Sequence, residues 1–517
     1  MKSFVHSLAL ISKNSQKPQA LTINISGMGA DAVAERLLRA NYLPRQRTNF
    51  DELPPVFDST TFSLDVAKKF KGLNETNPKY GHDAVTLTLT RADGHLRQSA
   101  IPHPAAYANL VLTIRENWGN IYPRVSSGNS YVKPRPHKDG RIIVMNYQNW
   151  IVRSLGGLRR RMSNHFLVQA DVANFFPSIY THSIAWALVG IKDAKASDNN
   201  QWFDKIDQSF QRCKRKETNG VAIGPATSNI AAEIIMSKID DSLTKKGFNF
   251  YRYIDDFTCF TPTRSEAEKF INTLRRELDR YKLVLNAKKT KIHPLPRHNN
   301  DEWLYHIKQV AKLLPNRPRP SQVVDFIDSM VEISERYGNR SAYKYGFAIL
   351  SNRYLGKYSK QAALSGCISL CFQVPNLHSS IRYFEISLSE FKKLNIDRCL
   401  VELLHDAALN RRTDAMCWYM YYCNHYGIEI PGSISAMIIK SRDCLSLLLL
   451  HCYSIGETRK QIEEFARKSC ATKDAHDRHQ YWMLNFELYR IKYISKVRDD
   501  KQQFDMMAAE GVHFCTA

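Results

Sequence analysis

Apolar and polar positions alternate most regularly in the middle of the chain. In "HFLVQADVANFFPSIY" the β-rich run 166–172 stops at a turn and Pro177, which predicts a strand with Asp171 at or near its C-terminal end. "FNFYRYI" and "FTCFT" are two more strand-like runs, and Asp255 and Asp256 between them fall at the tip of a tight hairpin. Helical spacing separates and follows these strands. Ile230, Ile234 and Leu243 recur on one face of a segment that opens with a glycine-containing loop and carries Pro225 in its first turn. Phe270, Leu274 and Leu278 stripe a second helix, for which Ser265 and Glu268 predict a capping box.

Upstream, residues 1–95 read as a leader of short helices around the Pro-interrupted "FDELPPVFDSTTF". "VKPRPHKDGRIIVM" then predicts a protruding, cationic two-stranded finger that turns at Asp139-Gly140. Beyond about residue 300 the strand signals fade. Val323, Phe326, Ile327, Met330 and Val331, then Leu400, Leu403, Leu404 and Ala407, predict an all-α region of stacked helix pairs without an exact repeat period.

Composition narrows the function class. At 517 residues the chain predicts about three packed units. Lysine and arginine total 73 against 50 acidic residues, and the resulting +23 makes a polyanion the expected partner: nucleic acid first, an anionic membrane second. No apolar run approaches the roughly 20 residues of a spanning helix, and "LSLLLLHCY" is too short and reads as a buried helix. The N-terminal stretch has one early lysine and no clear small-residue cleavage site, which argues against a signal peptide. Eleven scattered cysteines without a CxxC pair point to free thiols in a reducing cytoplasm, not to disulfides or a zinc cluster.

The candidate chemistry lies in the carboxylates. Asp255 and Asp256, set side by side among aromatic residues, repel each other and lose hydration, a cost that a divalent cation relieves. If Asp171 shares their sheet edge, three oxygen donors converge, as Mg²⁺ prefers. Two such ions about 4 Å apart activate a hydroxyl and stabilise a leaving pyrophosphate, which points to nucleotidyl transfer. A lone Tyr-x-Asp-Asp is a weak motif, and its weight here comes from the fixed order of Asp171, the Gly-Pro-x-x-Ser loop and "LNxxKT" around it.

At these residues the chain resembles a reverse transcriptase. "QADVANFFPSIY", "GVAIGPATSNIAAEI", "YRYIDDF" and "LVLNAKKTKI" are similar to that family's successive palm segments. The resemblance implies an α+β right-hand polymerase: an N-terminal leader (1–95), fingers (96–165), a palm of antiparallel sheet and packed helices (166–295), and a thumb-like, all-α, helical-repeat-like C-terminal domain (296–517). It implies Asp171, Asp255 and Asp256 as ligands of two Mg²⁺ ions, for which Mn²⁺ can substitute. Phe176 matches the steric gate that selects dNTPs. Gly224, Pro225 and Ser228 would lie against the incoming nucleotide. Lys289 would neutralise or protonate pyrophosphate, and Arg141 would clamp the triphosphate, with Lys133 and Arg135 as competitors. Ile223 stands where retroelements often carry a polar residue, so template contacts do not transfer.

"ELPPVF", "IPHPAAYANLV" and the helical C-terminal region resemble bacterial abortive-infection and defence-associated reverse transcriptases. That resemblance implies antiphage DNA synthesis in the cytoplasm by a homo-oligomer, with a noncoding RNA template, without a template, or from a protein primer. No RNase H quartet or zinc endonuclease cluster is legible. Two alternatives stand beside it: a retron-like or intron-derived reverse transcriptase of a mobile element, and a catalytically silent nucleic-acid-binding scaffold.

Overall fold

The computed structural model describes residues 28–44, 52–73, 80–144, 150–297 and 301–517, so the N-terminal part of the leader (1–27) lies outside the described residues. Among the described residues two antiparallel sheets are formed. β1 (Ala84–Thr90) and β2 (Leu96–Pro102) make a two-stranded hairpin. β3 (Phe166–Ala170), β4 (Asn249–Tyr253), β5 (Asp256–Thr261) and β6 (Lys291–Pro294) make a four-stranded sheet in the order β4-β5-β3-β6. The alternation that predicted β3 and the β4–β5 hairpin follows from one buried face, on which Val168, Phe250, Phe257 and Cys259 lie.

The Ala226–Lys245 and Arg264–Asp279 helices pack behind this sheet. Pro225 stands immediately before the first of them, and Ile230, Ile234 and Leu243 are fully buried. The second begins one residue earlier than its expected cap: Thr263, not Ser265, is the N-cap and accepts from the Glu266 amide at 3.2 Å. Beyond β6 the described residues are helical and form no further strand.

Two expectations are corrected, the three packed units and the protruding finger. Among the described residues a single continuous apolar core replaces three separate units, because residues from Val33 onward pack into one cluster with those near residue 514. Tyr42 and Tyr107 stack at 4.3 Å between centroids, and Trp482 and Phe514 join them. The Thr516 amide donates to the Val56 carbonyl at 2.8 Å, and Asp58 to Phe514 at 3.0 Å.

The leader–fingers boundary at residue 95 falls inside the β1–β2 hairpin, whose β1 lies against the Thr413–His425 helix. There the Thr88 amide donates to Thr413 Oγ1 at 2.9 Å and the Thr90 amide to Asp414 Oδ2 at 2.7 Å. Buried His82 and His103, which flank the hairpin, cluster with His479 of the Ala475–His479 helix at 4.6–4.7 Å between ring centroids.

The basic finger does turn at 137–140, with Arg135 donating to Ile142 at 2.8 Å. It does not protrude. Asn41 Oδ1 accepts from Ile142 at 2.8 Å, and Asn41 Nδ2 donates to the Ile143 carbonyl at 3.1 Å. Ile142, Ile143 and Val144 are buried, and burying that apolar run draws the arm onto the body.

Candidate active site

The four-stranded sheet sets the geometry. Ala170 pairs with Phe257 across the β3–β5 ladder, so Asp171, one residue past β3, comes beside Asp256, the first residue of β5. Tyr253 pairs with Asp256, which leaves Ile254 and Asp255 as the two-residue tip of the hairpin. All three carboxylates therefore meet at one edge. Asp171 is buried, Asp255 half-buried and Asp256 exposed.

Their titration carries the mark of crowding. Loss of hydration raises Asp255 to about 7, reinforced by the charges of Asp256 and Asp171. Burial and then the neighbouring Asp171 raise Asp256 to about 6. Positive charge reaches the cluster from the "LNAKKT" segment: Lys289 Nζ lies 2.9 Å from Asp171 Oδ2, and Asn286 Nδ2 donates to the same oxygen at 3.0 Å. That hydrogen-bonded pairing raises the Lys289 pKa. The Asn286 amide also donates to the Asp171 carbonyl at 2.7 Å, which ties this segment to the end of β3.

Behind the hairpin lies a charge network that the sequence reading missed. Arg252 on β4 is wholly buried. It donates to Glu233 Oε1 and Oε2 at 2.7 and 3.0 Å and to both Asp240 oxygens at 2.9 Å, and both acids sit on the Ala226–Lys245 helix. Burial opposes the Arg252 charge, but the two carboxylates outweigh that penalty and hold it protonated. Ser130 and Ser127 donate to Glu233 and Asp240 at 3.1 and 2.6 Å.

Arg252 Nη1 also donates to the Ile254 carbonyl at 2.9 Å. Ile254 has φ +53°, a left-handed conformation that costs a β-branched residue about 1–3 kcal/mol. The buried arginine thus holds the strained residue next to Asp255. The available signal was charge in apolar surroundings: an arginine in an aromatic strand, and two acids, Glu233 and Asp240, on a helix whose middle is rich in isoleucine and alanine.

The other expected residues divide. Phe176 is buried in the Phe175–Ser178 turn that follows Asp171, and its carbonyl accepts from Val221 at 3.1 Å. Gly224 has φ +140°, and a Cβ there would meet Ala100 O and Ser99 Oγ at 2.9 Å, so β2 requires its smallness. Ser228 is buried and donates to the Ala222 carbonyl at 2.5 Å, closing the loop onto its own helix. Pro225 is buried beside them. Arg141 is only 7% exposed and its Nη2 pairs with Asp139 at 2.5 Å, because the turn that carries it is docked.

Residues 124–312 match the family described as reverse transcriptase (RNA-dependent DNA polymerase). No curated protein matches the chain. Among solved structures it is similar to a C-terminally truncated apo telomerase from Candida tropicalis, with 14% identity and a TM-score of 0.31, covering 46% of this chain and 55% of that one. For apo telomerase from the same organism the values are 11%, 0.33, 77% and 72%. For Candida albicans telomerase with a fragment of telomeric RNA they are 10%, 0.29, 76% and 67%. The chain thus spans little more than half of the first of these structures. Residues 124–312 are a reverse transcriptase domain, the catalytic domain of RNA-directed DNA polymerases.

Proposed function

We propose that the whole chain synthesises DNA from dNTPs by joining a primer hydroxyl to the α-phosphate of the incoming nucleotide and releasing pyrophosphate. The observation that carries this reading is the convergence of Asp171, Asp255 and Asp256 at one sheet edge inside the matched region, with two of the three carboxyls pushed toward neutrality. Such a donor set fits hard divalent cations. Asp171, Asp255 and Asp256 would hold two Mg²⁺ ions, which when bound activate the attacking oxygen and neutralise the leaving one.

Asn286 and Lys289 contact Asp171, which supports a role in orienting it, and Lys289 would offset charge on departing pyrophosphate. Phe176 is assigned to sugar selection by its place five residues after Asp171. The divisions into fingers, palm and helical C-terminal region, the RNA template or noncoding RNA, antiphage defence and homo-oligomeric assembly belong to the same proposal and rest on the resemblance of the motifs. The +23 charge supports a nucleic-acid partner. Among the described residues no helix is long and apolar enough to cross a membrane.

The test is incorporation of each labelled dNTP with Mg²⁺ or Mn²⁺, with and without co-purified RNA, together with phage challenge of cells expressing the protein. Asp255→Ala combined with Asp256→Ala is expected to abolish synthesis and protection together. Full protection by that variant would favour the scaffold reading, and no incorporation by the parent under any condition would sink the polymerase.

A further inference from the structure

A cleft of about 650 Å³ opens among the helices packed behind the four-stranded sheet, and none of Asp171, Asp255, Asp256 or Lys289 lines it. Its volume lies in the range of small-molecule sites. Its lining is unusual in charge. Arg124, Lys192 and Lys238 come to it from three separate helices, and Arg280 from the end of a fourth. Arg280 is paired with Glu277 at 3.0 Å, but among the described residues no carboxylate lies within ion-pair distance of the other three. Lys238 is pushed below its ordinary pKa by burial and then by the neighbouring Arg124 charge, which outweighs Asp241. Three like charges without a carboxylate at ion-pair distance are stabilised by an anion.

The same cleft is walled by Trp186, Trp202 and Tyr281, and both tryptophans are half-buried, so part of each ring stays accessible. Lys195 Nζ lies 5.8 Å from the Trp186 ring centroid, adding a further cation at its edge. Unpaired cations beside accessible indoles match the two ends of a nucleotide: phosphate on the charges, base on a ring.

We propose that this cleft is a second nucleotide-binding site, taking phosphate on Arg124, Lys192 and Lys238 and a base on Trp186 or Trp202. Two sources offer that chemistry: a free nucleoside triphosphate, and one nucleotide of a single strand passing over the protein. The site goes beyond the polymerase reading, and its test is run without catalysis.

The experiment uses the full chain carrying Asp255→Asn and Asp256→Asn, in EDTA, so that nucleotide binding at the carboxylates does not contribute. Two probes are titrated: N-methylanthraniloyl-ATP, and a fluorescein-labelled 12-mer of uridylate. Saturable binding of at least one probe is expected, weakened about tenfold or more by Lys238→Glu and by Trp202→Ala. The exposed Lys192→Glu supplies a variant with little risk to folding, and Lys501→Glu on a remote helix controls for net charge. Response of the triphosphate identifies a free nucleotide, and response of the 12-mer alone identifies a strand. The proposal is overturned if neither probe binds. It is equally overturned if Lys192→Glu and Lys238→Glu, melting like the parent, leave binding unchanged or weaken it no more than Lys501→Glu does.

Discussion

Asp255 shows how much of the candidate site is an electrostatic burden on the fold. Its carboxyl titrates near 7 in the folded chain and near 3.8 unfolded, so between those values the folded state holds the extra proton. Without a divalent cation, its contribution to stability is therefore most favourable below about pH 4 and is lost as pH rises to 7. Asp255→Asn should melt higher than the parent at pH 8 in EDTA, by the equivalent of roughly 1–3 kcal/mol after discounting for coupling and partial exposure. The gain should vanish at pH 4, while DNA synthesis is lost at every pH. Thermal melts at the two pH values, with and without Mg²⁺, check this, and a lower melting point for the variant at pH 8 would contradict it. The adjacent pair was legible in sequence because charge interrupts an aromatic run. That Asp171 lies beside Asp256 was not, since 84 residues separate them and the β3–β5 register alone brings them together.

At the scale of elements, the β4–β5 hairpin depends on a helix that makes no ladder with it. Arg252 spans from Glu233 and Asp240 to the Ile254 carbonyl, so it couples the Ala226–Lys245 helix to the strained tip. Arg252→Met is expected to destabilise the protein by about 3–5 kcal/mol, because two buried carboxylates lose their partner. Joint replacement by Glu233→Gln, Asp240→Asn and Arg252→Met removes the buried charge and should recover most of that stability. It should not recover polymerase activity, since the donor to Ile254 is still missing. Denaturant melts beside kcat and KM for a dNTP separate the two effects, and full activity in the triple variant would show that the tip needs no anchor. The docked finger and the Thr263 cap differ from the local pattern for a related reason: neither is set by its own segment alone. Burial of Ile142 and Ile143 against Asn41, and the Thr263 cap, depend on neighbours that the local pattern does not name.

For the whole molecule, the first and last thirds of the chain are not separable parts. β1 is hydrogen-bonded to the helix beginning at Thr413, Trp482 donates to the Ile101 carbonyl at 3.2 Å, and Glu487 Oε1 accepts the Phe514 amide at 2.6 Å within the same aromatic cluster as Tyr42. Ending the chain at residue 300 would expose Tyr42, Tyr107 and β1 together. Losing the burial of several large aromatic side chains, each worth about 3–5 kcal/mol, exceeds an ordinary domain's stability of roughly 5–15 kcal/mol. The truncated protein is expected to melt without cooperativity and to bind a hydrophobic dye, and co-expression of residues 301–517 should restore a cooperative transition. A truncated protein melting like the parent would refute the single core. Light scattering on the full chain tests the proposed oligomer.

The sequence by itself determined what is local. Residue periods specified β3, the β4–β5 hairpin and the buried helix faces, because a strand or helix with one apolar side has one way to lie against a core. The order of motifs around Asp255 pointed to nucleotidyl transfer, because that chemistry needs carboxylates at the end of one strand and the tip of one hairpin. Tertiary structure decided what those residues touch. It withdrew Arg141 to Asp139, pressed Gly224 onto β2, and set Arg252 beneath the hairpin. It also wove Tyr42 and Phe514, from the two extremes of the described residues, into one core. The physical reason is that register, burial and ion pairing are settled between segments far apart in sequence, where no period or motif in either segment records its partner.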